Sequence, residues 1–315
     1  MTYHSLLEPV YKIKEESEVY SLCFPKKIHK NDFLLIGTAN GMISFWDLKT
    51  FKKENCHSIG SGPIMQMMCH EDKIITQDKL GNLTIWSVNN FTLQFERAVN
   101  VKYTGFCKFD VNSSNDILAT ASENSTVKIF SLPQLSEYVV IERTCMEKQF
   151  GMAMTLKMFS VNTNLYILVA YENEELVLFE LLNRKEICST KLQFCATTVE
   201  FDENTMQGAC AGVTDKIVVF NIVKTDNIEM KINILGSIKI MNEGLSCLKL
   251  CPYNSHMMSS GLDGHIRVFK WKSMRPVVVL PEHYDTVNVI AFSHVSKLMA
   301  VGSCDKRVSV WCLAE

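Results

Sequence analysis

At 315 residues the chain exceeds the usual size of one domain, so either two ordinary domains or one large closed architecture must account for it. Hydrophobic residues make up 47% and charged residues 21%, which excludes the disordered and fibrous classes. The net charge of -2 gives no overall basic footprint, so we expect no direct binding of nucleic acid or of a membrane surface.

One short pattern recurs along the chain, in which alternating apolar residues end in an aromatic residue followed by a polar or small one. The copies are Ile43–Asp47, Leu83–Ser87, Val127–Ser131, Leu176–Glu180, Ile217–Asn221, Ile266–Lys270 and Val308–Cys312. The aromatic residues at 46, 86, 130, 179, 220, 269 and 311 are 40, 44, 49, 41, 49 and 42 positions apart. These intervals bracket the period of about 40–45 residues that is typical of a four-stranded propeller blade.

Each copy follows a small-residue strand with a tight turn, as in Ile36–Gly41, and before that an apolar strand, as in Val19–Phe24. The repeat therefore predicts an all-β protein, a single seven-bladed β-propeller spanning residues 1–315. We place the blades at approximately 17–60, 61–100, 101–145, 150–192, 194–241, 243–282 and 284–315, with residues 1–16 as a leader and closing strand.

The last repeat ends at Leu313 and lacks a fourth strand. Residues 9–14 precede the first repeat and alternate as an edge strand does. We expect this N-terminal strand to complete blade 7 and close the ring.

Twelve cysteines are scattered along the chain without a C-x-x-C pair, and residues 1–20 do not resemble a secretory leader. We therefore expect reduced thiols, no metal and no cofactor. Cys247 and Cys251 are the closest pair, and strand packing is the favoured interpretation for them over a metal site.

The seventh repeat carries His283, Ser303, Asp305 and Trp311, the four residue types of the hydrogen-bonded tetrad in WD-repeat proteins, a family that the chain resembles. The resemblance implies that these four residues form a buried structural network and that the fold is a WD-repeat propeller. A Ser-His-Asp nucleophile triad would use the same residue types, but a structural role is favoured. The tetrads of the other repeats are incomplete, since Asn40, Asn124 and Asn173 replace the aspartate.

A closer resemblance is to the G-protein beta-subunit-like proteins that are related to the ASTRA-associated WD-repeat protein. It rests on Phe150–Leu156, Tyr171–Asn173, Asn242–Leu245 and above all His265–Pro276. The resemblance implies a non-enzymatic subunit of a nuclear and cytoplasmic assembly, linked to chromatin remodelling and to co-chaperone-assisted maturation of phosphatidylinositol-3-kinase-related kinases. It implies protein partners and a monomer within a hetero-complex. A true G-protein beta subunit pairs with gamma through a long N-terminal coiled-coil helix, but no heptad pattern precedes the first blade here, so we expect no pairing with a gamma subunit.

Alignment of the repeats predicts which side chains flank the start of each innermost strand or the middle of the following turn, the rim where partners bind. The candidate rim residues are Glu18, Tyr20, Lys79, Tyr103, Glu123, Glu172, Thr286 and Asn288. Aromatic residues among acids suit a protein interface better than a catalytic site, although an ordinary solvated rim is the alternative.

Other functional interpretations stay open. The long stretch Lys224–Ile232 is either a recognition loop or an extended hairpin. Trp46–Lys49 loosely resembles the box of substrate receptors for cullin-type ubiquitin ligases, but it ends in lysine instead of arginine. An enzyme would need a cluster of titratable groups that the sequence does not assemble.

Overall fold

A computed structural model describes residues 8–25, 33–143, 150–224, 230–241 and 244–313 of the chain. Within these ranges the elements are 28 β-strands, and no α-helix occurs among them. The chain forms two compact units, residues 1–99 together with 249–315, and residues 100–248. No helix of the described part is long and apolar enough to cross a membrane.

The first strands all lie in the first unit, apart from the last residue of β9. They are β1 (Tyr11–Lys14), β2 (Val19–Cys23), β3 (Phe33–Thr38), β4 (Met42–Asp47), β5 (Lys52–Ser58), β6 (Ile64–His70), β7 (Lys73–Asp78), β8 (Asn82–Asn89) and β9 (Thr92–Asn100). Strands β2–β5 form the sheet of blade 1 and β6–β9 that of blade 2.

The second unit contains three four-stranded sheets. Its strands are β10 (Asp110–Asn112), β11 (Ile117–Ala121), β12 (Val127–Ser131), β13 (Ser136–Ile141), β14 (Ala153–Val161), β15 (Asn164–Tyr171), β16 (Glu175–Glu180), β17 (Lys185–Lys191), β18 (Ala196–Asp202), β19 (Gln207–Gly212), β20 (Lys216–Lys224) and β21 (Met230–Lys239). They form blades 3, 4 and 5 in chain order.

The remaining strands complete blades 6 and 7. They are β22 (Leu245–Leu250), β23 (His256–Gly261), β24 (Ile266–Lys270), β25 (Arg275–Leu280), β26 (Val287–Phe292), β27 (Leu298–Ser303) and β28 (Arg307–Cys312). Blade 6 is β22–β25, and blade 7 has the order β1-β28-β27-β26. Seven four-stranded antiparallel sheets confirm the fold class of a seven-bladed β-propeller.

The N-terminal strand occupies the place that the sequence predicts for it. β1 pairs antiparallel with β28, with Tyr11 opposite Val310 and Ile13 opposite Val308. The backbone N–H of Glu15 adds a hydrogen bond of 2.8 Å to the carbonyl of Lys306. β28 is therefore covered on the side where the last repeat has no strand of its own.

Within the first unit, apolar side chains of neighbouring blades form common cores. Ile13 of β1 belongs to a buried cluster with Val19 of blade 1 and Val310 of blade 7. Gly302 permits this close approach, since a Cβ there would lie 2.5 Å from a methyl group of Val19. A blade cannot bury both faces of its own sheet, so packing against the next blade supplies the missing cover.

A β-bulge recurs on the outer strand opposite the repeat aromatic in blades 1, 3, 4, 5 and 6. In blade 5, for example, Val219 pairs with Gly236 but Phe220 pairs with Ile234, so Leu235 is the extra residue. The same shift occurs before Trp46, Phe130, Phe179 and Phe269. The bulge is therefore a regular part of the repeat.

The closing strand generates a first prediction. Replacement of Ile13, which is 2% exposed, by alanine should lower the free energy of unfolding by about 2–5 kcal/mol, because it leaves a cavity in the core beneath β1. Lys12→Ala is the matched control, since its exposed ion pair with Glu282 is worth about 0–1 kcal/mol. Urea denaturation of both variants measures the difference, and equal midpoints would contradict a structural role for β1.

Candidate protein-interaction surface

A buried chain of hydrogen bonds organises blade 7. Nδ1 of His283 lies 2.9 Å from Oδ2 of Asp305, and Nε2 lies 2.9 Å from Oγ of Ser309. The indole N–H of Trp311 donates to the same Oγ at 2.9 Å. His283, Ser309 and Trp311 are each at most 6% exposed, so these buried hydrogen bonds link three segments of the blade.

The hydroxyl in this chain comes from Ser309, which corrects the sequence assignment of Ser303. Ser303 Oγ donates to the carbonyl of Asp285 at 3.0 Å and accepts the N–H of Asp305 at 3.1 Å, so it shapes the turn instead. Strand pairing explains the difference, because β28 places Ser309 opposite Val301, which has no hydroxyl.

Blade 2 has the alternative arrangement, with the hydroxyl on the neighbouring strand. Thr76 of β7 accepts the indole N–H of Trp86 at 2.9 Å. Thr76 pairs with Thr84, two residues before the aromatic, as Val301 pairs with Ser309. The hydroxyl that binds the indole is thus on the second strand of the blade hairpin in blade 2, whereas in blade 7 it is on the strand that carries the tryptophan.

The turn between β27 and β28 holds Asp305 as a carboxylate. Burial raises the pKa of Asp305, but the hydrogen bond from His283 and its charge when protonated lower it, as do the backbone N–H groups of Tyr284 and Arg307. The lowering effects win, so the pKa of Asp305 lies below its ordinary value.

In two blades a charged side chain takes the place that the neutral hydroxyl of Ser309 has in blade 7. In blade 6 the guanidinium of Arg267 donates to both carboxylate oxygens of Asp263. These residues lie two and six positions before the repeat aromatic, as Ser309 and Asp305 do, so the sequence spacing would have found the pair. In blade 1 the buried carboxylate of Glu15 accepts the indole N–H of Trp46 at 2.7 Å.

A further ion cluster joins Arg143, which follows the last strand of blade 3, to two carboxylates of blade 4. The guanidinium of Arg143 lies between the carboxylates of Glu175 and Glu186 and 4.0 Å from the ring centre of Phe150. Arg143 and Glu175 side chains are each 7% exposed. The partners are 32 and 43 residues away in sequence, so no local pattern signals the contact.

Five candidate rim residues lie in the first unit, and bulges explain the direction of two of them. Tyr20 is the extra residue between Val19 and Ser21 in the pairing of β2 with β3, and Asn288 is the extra residue at the same place in β26. A bulge turns a side chain away from the sheet face that its neighbours occupy. Lys79 is exposed, whereas Glu18 and Thr286 are half-buried.

The surroundings of Tyr20 and Asn288 are shared. Asn288 Nδ2 donates to the carbonyl of Val19 at 2.8 Å and contacts Sγ of Cys304 at 3.1 Å. Burial, followed by the nearby thiol of Cys304 and the carboxylate of Glu18, raises the pKa of Tyr20. The tyrosine therefore stays a neutral hydrogen-bonding aromatic at physiological pH.

Three candidate rim residues lie in the second unit, and one of them is corrected. Tyr103 is 4% exposed, and its hydroxyl donates to the carbonyl of Ala153 at 2.7 Å while accepting the N–H of Cys107 at 3.2 Å. It is a core residue and not a surface anchor. Glu123 and Glu172 are exposed.

Further exposed apolar side chains occupy the same kinds of loop. They lie in turns between the second and third strands of a blade or in the segments that lead into its first strand: Leu80, Leu262 and Tyr284 in the first unit, and Phe106, Met152, Val213 and Met241 in the second. Tyr284 is 81% exposed and Met241 98%. Their exposure depends on the turn conformation, which composition does not reveal.

Two other candidate segments from the sequence remain. One has a structural explanation, and the other lies partly outside the described residues. Asp47 Oδ1 accepts the N–H groups of Lys49 and Thr50, so the Trp46–Lys49 segment has a turn-forming role. Within Lys224–Ile232, residues 225–229 are outside the described residues. Among the residues the structure describes, no group of three or more His, Cys, Asp or Glu side chains is placed to hold a metal ion.

Comparisons with known proteins agree with this architecture. The WD40 family, described as WD domain, G-beta repeat, matches residues 236–270 and 274–312. These two stretches of the chain are therefore WD40 repeats, and β-propellers that contain such repeats are typically non-enzymatic interaction scaffolds.

The chain is also similar to individual proteins. It is 25% identical over 303 residues to guanine nucleotide-binding protein subunit beta-like protein 1 of Mus musculus, covering 92% of this chain and 90% of the relative. It is 37% identical over 75 residues to ASTRA-associated protein 1 of Schizosaccharomyces japonicus, and 37% identical over 70 residues to that of Schizosaccharomyces pombe. The latter two matches cover 24% and 22% of this chain and only 20% and 19% of those relatives.

The identity of the hydroxyl in blade 7 is testable by a double-mutant cycle. Trp311→Phe and Ser309→Ala should be coupled by about 0.5–3 kcal/mol, because each removes the same hydrogen bond. Trp311→Phe and Ser303→Ala should be additive to within about 0.5 kcal/mol. Unfolding free energies of the single and double variants provide the measurement, and stronger coupling through Ser303 would reverse the assignment.

The lowered pKa of Asp305 predicts a pH dependence. A carboxylate whose pKa is lower in the folded chain stabilises it above the unfolded pKa of about 3.9, and this stability is lost as the pH falls through the folded value. The stability advantage of the native chain over Asp305→Asn should therefore shrink as the pH falls from 5 to 3. Urea titrations at pH 7, 5, 4 and 3 measure it, and an advantage that grows in acid would disprove the charge state.

Proposed function

We propose that this protein is a non-enzymatic scaffold subunit of an ASTRA-like chromatin-remodelling and co-chaperone assembly that supports maturation of phosphatidylinositol-3-kinase-related kinases. The similarity to ASTRA-associated protein 1 supports an ASTRA-like assembly. The similarity to guanine nucleotide-binding protein subunit beta-like protein 1 extends over nearly the whole chain and supports common ancestry with that protein. Co-chaperone subunits, chromatin-complex subunits and the large kinases are the proposed partners. The proposed locations are the nucleus and the cytoplasm.

The observation that carries the scaffold role is the set of apolar side chains exposed in the loops. In the second unit Phe106 is 61% exposed and Met152 44%. Aromatic and methionine side chains are enriched at protein interfaces, and a few such anchors supply most of the binding energy. Glu123 and Glu172 are exposed in the same unit, so a partner with basic residues around an apolar segment would fit.

The first unit offers anchors of the same chemistry. Tyr284 projects into solvent with the guanidinium of Arg307 5.1 Å from its ring centre. Leu262 is 40% exposed and Leu80 67%. A large aromatic ring beside a fixed cation combines an apolar surface with hydrogen-bonding capacity, which suits a protein contact.

Two matched double variants test the surface. Phe106→Ser with Met152→Ser should lower recovery of co-purifying proteins by more than about tenfold, because the loss of two anchors removes about 2–3 kcal/mol of binding, roughly 30- to 150-fold in affinity. Tyr138→Ser with Leu182→Ser removes side chains of similar exposure from an outer strand and from a turn between the last two strands of a blade, and should leave recovery unchanged. Affinity purification with quantitative mass spectrometry gives recovery, and circular dichroism verifies the fold.

The identity of the recovered proteins tests the assembly itself. Co-chaperone subunits and large kinases are expected from the native chain. Recovery of cullin adaptors in their place would contradict the proposal and favour a ubiquitin-ligase receptor. Equal recovery with both double variants would exclude these loops as the binding surface.

A further inference from the structure

The segment that leads into blade 3 is held differently from those of the other blades. β10 contains three residues, all paired with β11, whereas the first strands of the other blades contain five to nine. Residues 101–109, which precede β10, form no helix or strand. Their buried backbone groups therefore need hydrogen-bond partners other than a neighbouring strand.

The hydroxyl of Tyr103 supplies such partners. Its oxygen accepts the backbone N–H of Cys107 at 3.2 Å and also that of Phe106. Its O–H donates to the carbonyl of Ala153 in blade 4 at 2.7 Å. Burial raises the pKa of Tyr103, so the hydroxyl keeps the proton that it donates. Gly105 packs against this hydroxyl, since a Cβ there would lie 2.2 Å from the oxygen.

The second loop, which leads into β14 of blade 4, is also fixed. The N–H of Met152 donates to the carboxylate of Glu172 at 3.2 Å, and its carbonyl accepts the N–H of Glu172 at 2.9 Å. The hydroxyl of Ser125 in blade 3 donates to the carbonyl of Gly151. This loop is therefore bonded to both blades.

One hydroxyl thus joins the loops that carry the exposed side chains of Phe106 and Met152. Because the Tyr103 oxygen bonds both groups, the N–H of Cys107 lies within about 6 Å of the carbonyl of Ala153. Tyr103 and Cys107 are at most 4% exposed. The two exposed side chains are therefore carried next to buried, hydrogen-bonded backbone.

We propose that Tyr103 is the positioning residue of this surface. Its hydroxyl holds Phe106 and Met152 in one arrangement in the free chain, so that a partner meets a preformed pair of anchors. The binding role of this arrangement rests on the function proposed above. Groups that are already ordered lose less conformational freedom on binding, which raises the affinity.

Hydrogen exchange of the free chain tests the positioning without a partner. Tyr103→Phe keeps the buried ring and removes only the hydroxyl, so it should speed exchange of the amides within residues 104–107 by about three- to tenfold. Tyr171→Phe is the matched control, because Tyr171 is fully buried in the same unit and its hydroxyl has no hydrogen-bond partner among the described residues. Unchanged exchange in Tyr103→Phe, or equal acceleration in both variants, would overturn the proposal.

A second variant disturbs the same hydroxyl without removing it. Gly105→Ala places a methyl group against the Tyr103 oxygen and should also speed exchange within residues 104–107. Gly60→Ala is its control, since a Cβ at Gly60 would meet no atom within 4 Å. Unchanged exchange in Gly105→Ala would contradict the packing on which the positioning depends.

A double-mutant cycle tests whether Tyr103 acts through the two anchors. In the folded chain, Tyr103→Phe alone should lower recovery of co-purifying proteins at least about threefold, an effect that a merely stabilising residue would not have. Added to Phe106→Ser with Met152→Ser, it should cause no further loss, because the side chains that it positions are gone.

The outcomes separate this inference from the proposed function. A full further loss in the triple variant, or normal recovery with Tyr103→Phe when the anchor variant loses its partners, would overturn the positioning role. Normal recovery with the anchor variant itself would contradict the proposed binding surface. The exchange rates would then still decide whether Tyr103 fixes the two loops.

Discussion

Pairing of β1 with β28 is the contact on which the first unit depends, because it joins residues about 300 positions apart and covers an edge that would otherwise be open. Four residues of backbone pairing would be weak alone. Ile13 strengthens the pairing because it lies in a core that also contains Val19 and Val310. The first strand of the chain is thus fixed by a hydrogen-bonded ladder on one side and by apolar packing on the other.

Buried polar side chains impose a second constraint, which the blades satisfy with different chemistry. A buried hydroxyl, indole or carboxylate is costly unless it is paired. Blade 7 meets this requirement through His283 and Ser309, blade 6 through an ion pair, and blade 4 through a guanidinium between two carboxylates. Several blades whose tetrads are incomplete in the sequence therefore have other buried polar contacts in their place. Blade 6 retains a trace of the change: Ser259 is fully buried and its Oγ lacks a hydrogen-bond partner, since Phe269 offers no indole N–H.

The fold was predictable because the repeat is long and each copy ends in the same aromatic pattern, so seven weak signals reinforce one another. The site was less predictable. Tyr103 has the sequence position of a rim residue, yet its burial depends on a hydrogen bond to Ala153, fifty residues away. Ser309 supplies the hydroxyl in place of Ser303 because the residue opposite Ser309 on β27 is Val301, which has none. Both outcomes follow from contacts with another segment of the chain, which the sequence of one segment does not contain.

The bulge opposite the repeat aromatic has a consequence for how such a chain tolerates change in length. It fixes the register of the outer hairpin at one point, next to the core, in five blades. Residues added beyond that point lengthen the hairpin without displacing Phe220 or its equivalents. Blade 5, with strands of nine and ten residues, illustrates such growth. Outer hairpins could therefore be exchanged between blades as cassettes, a modularity that evolution or a protein engineer can use while the aromatic core is left intact.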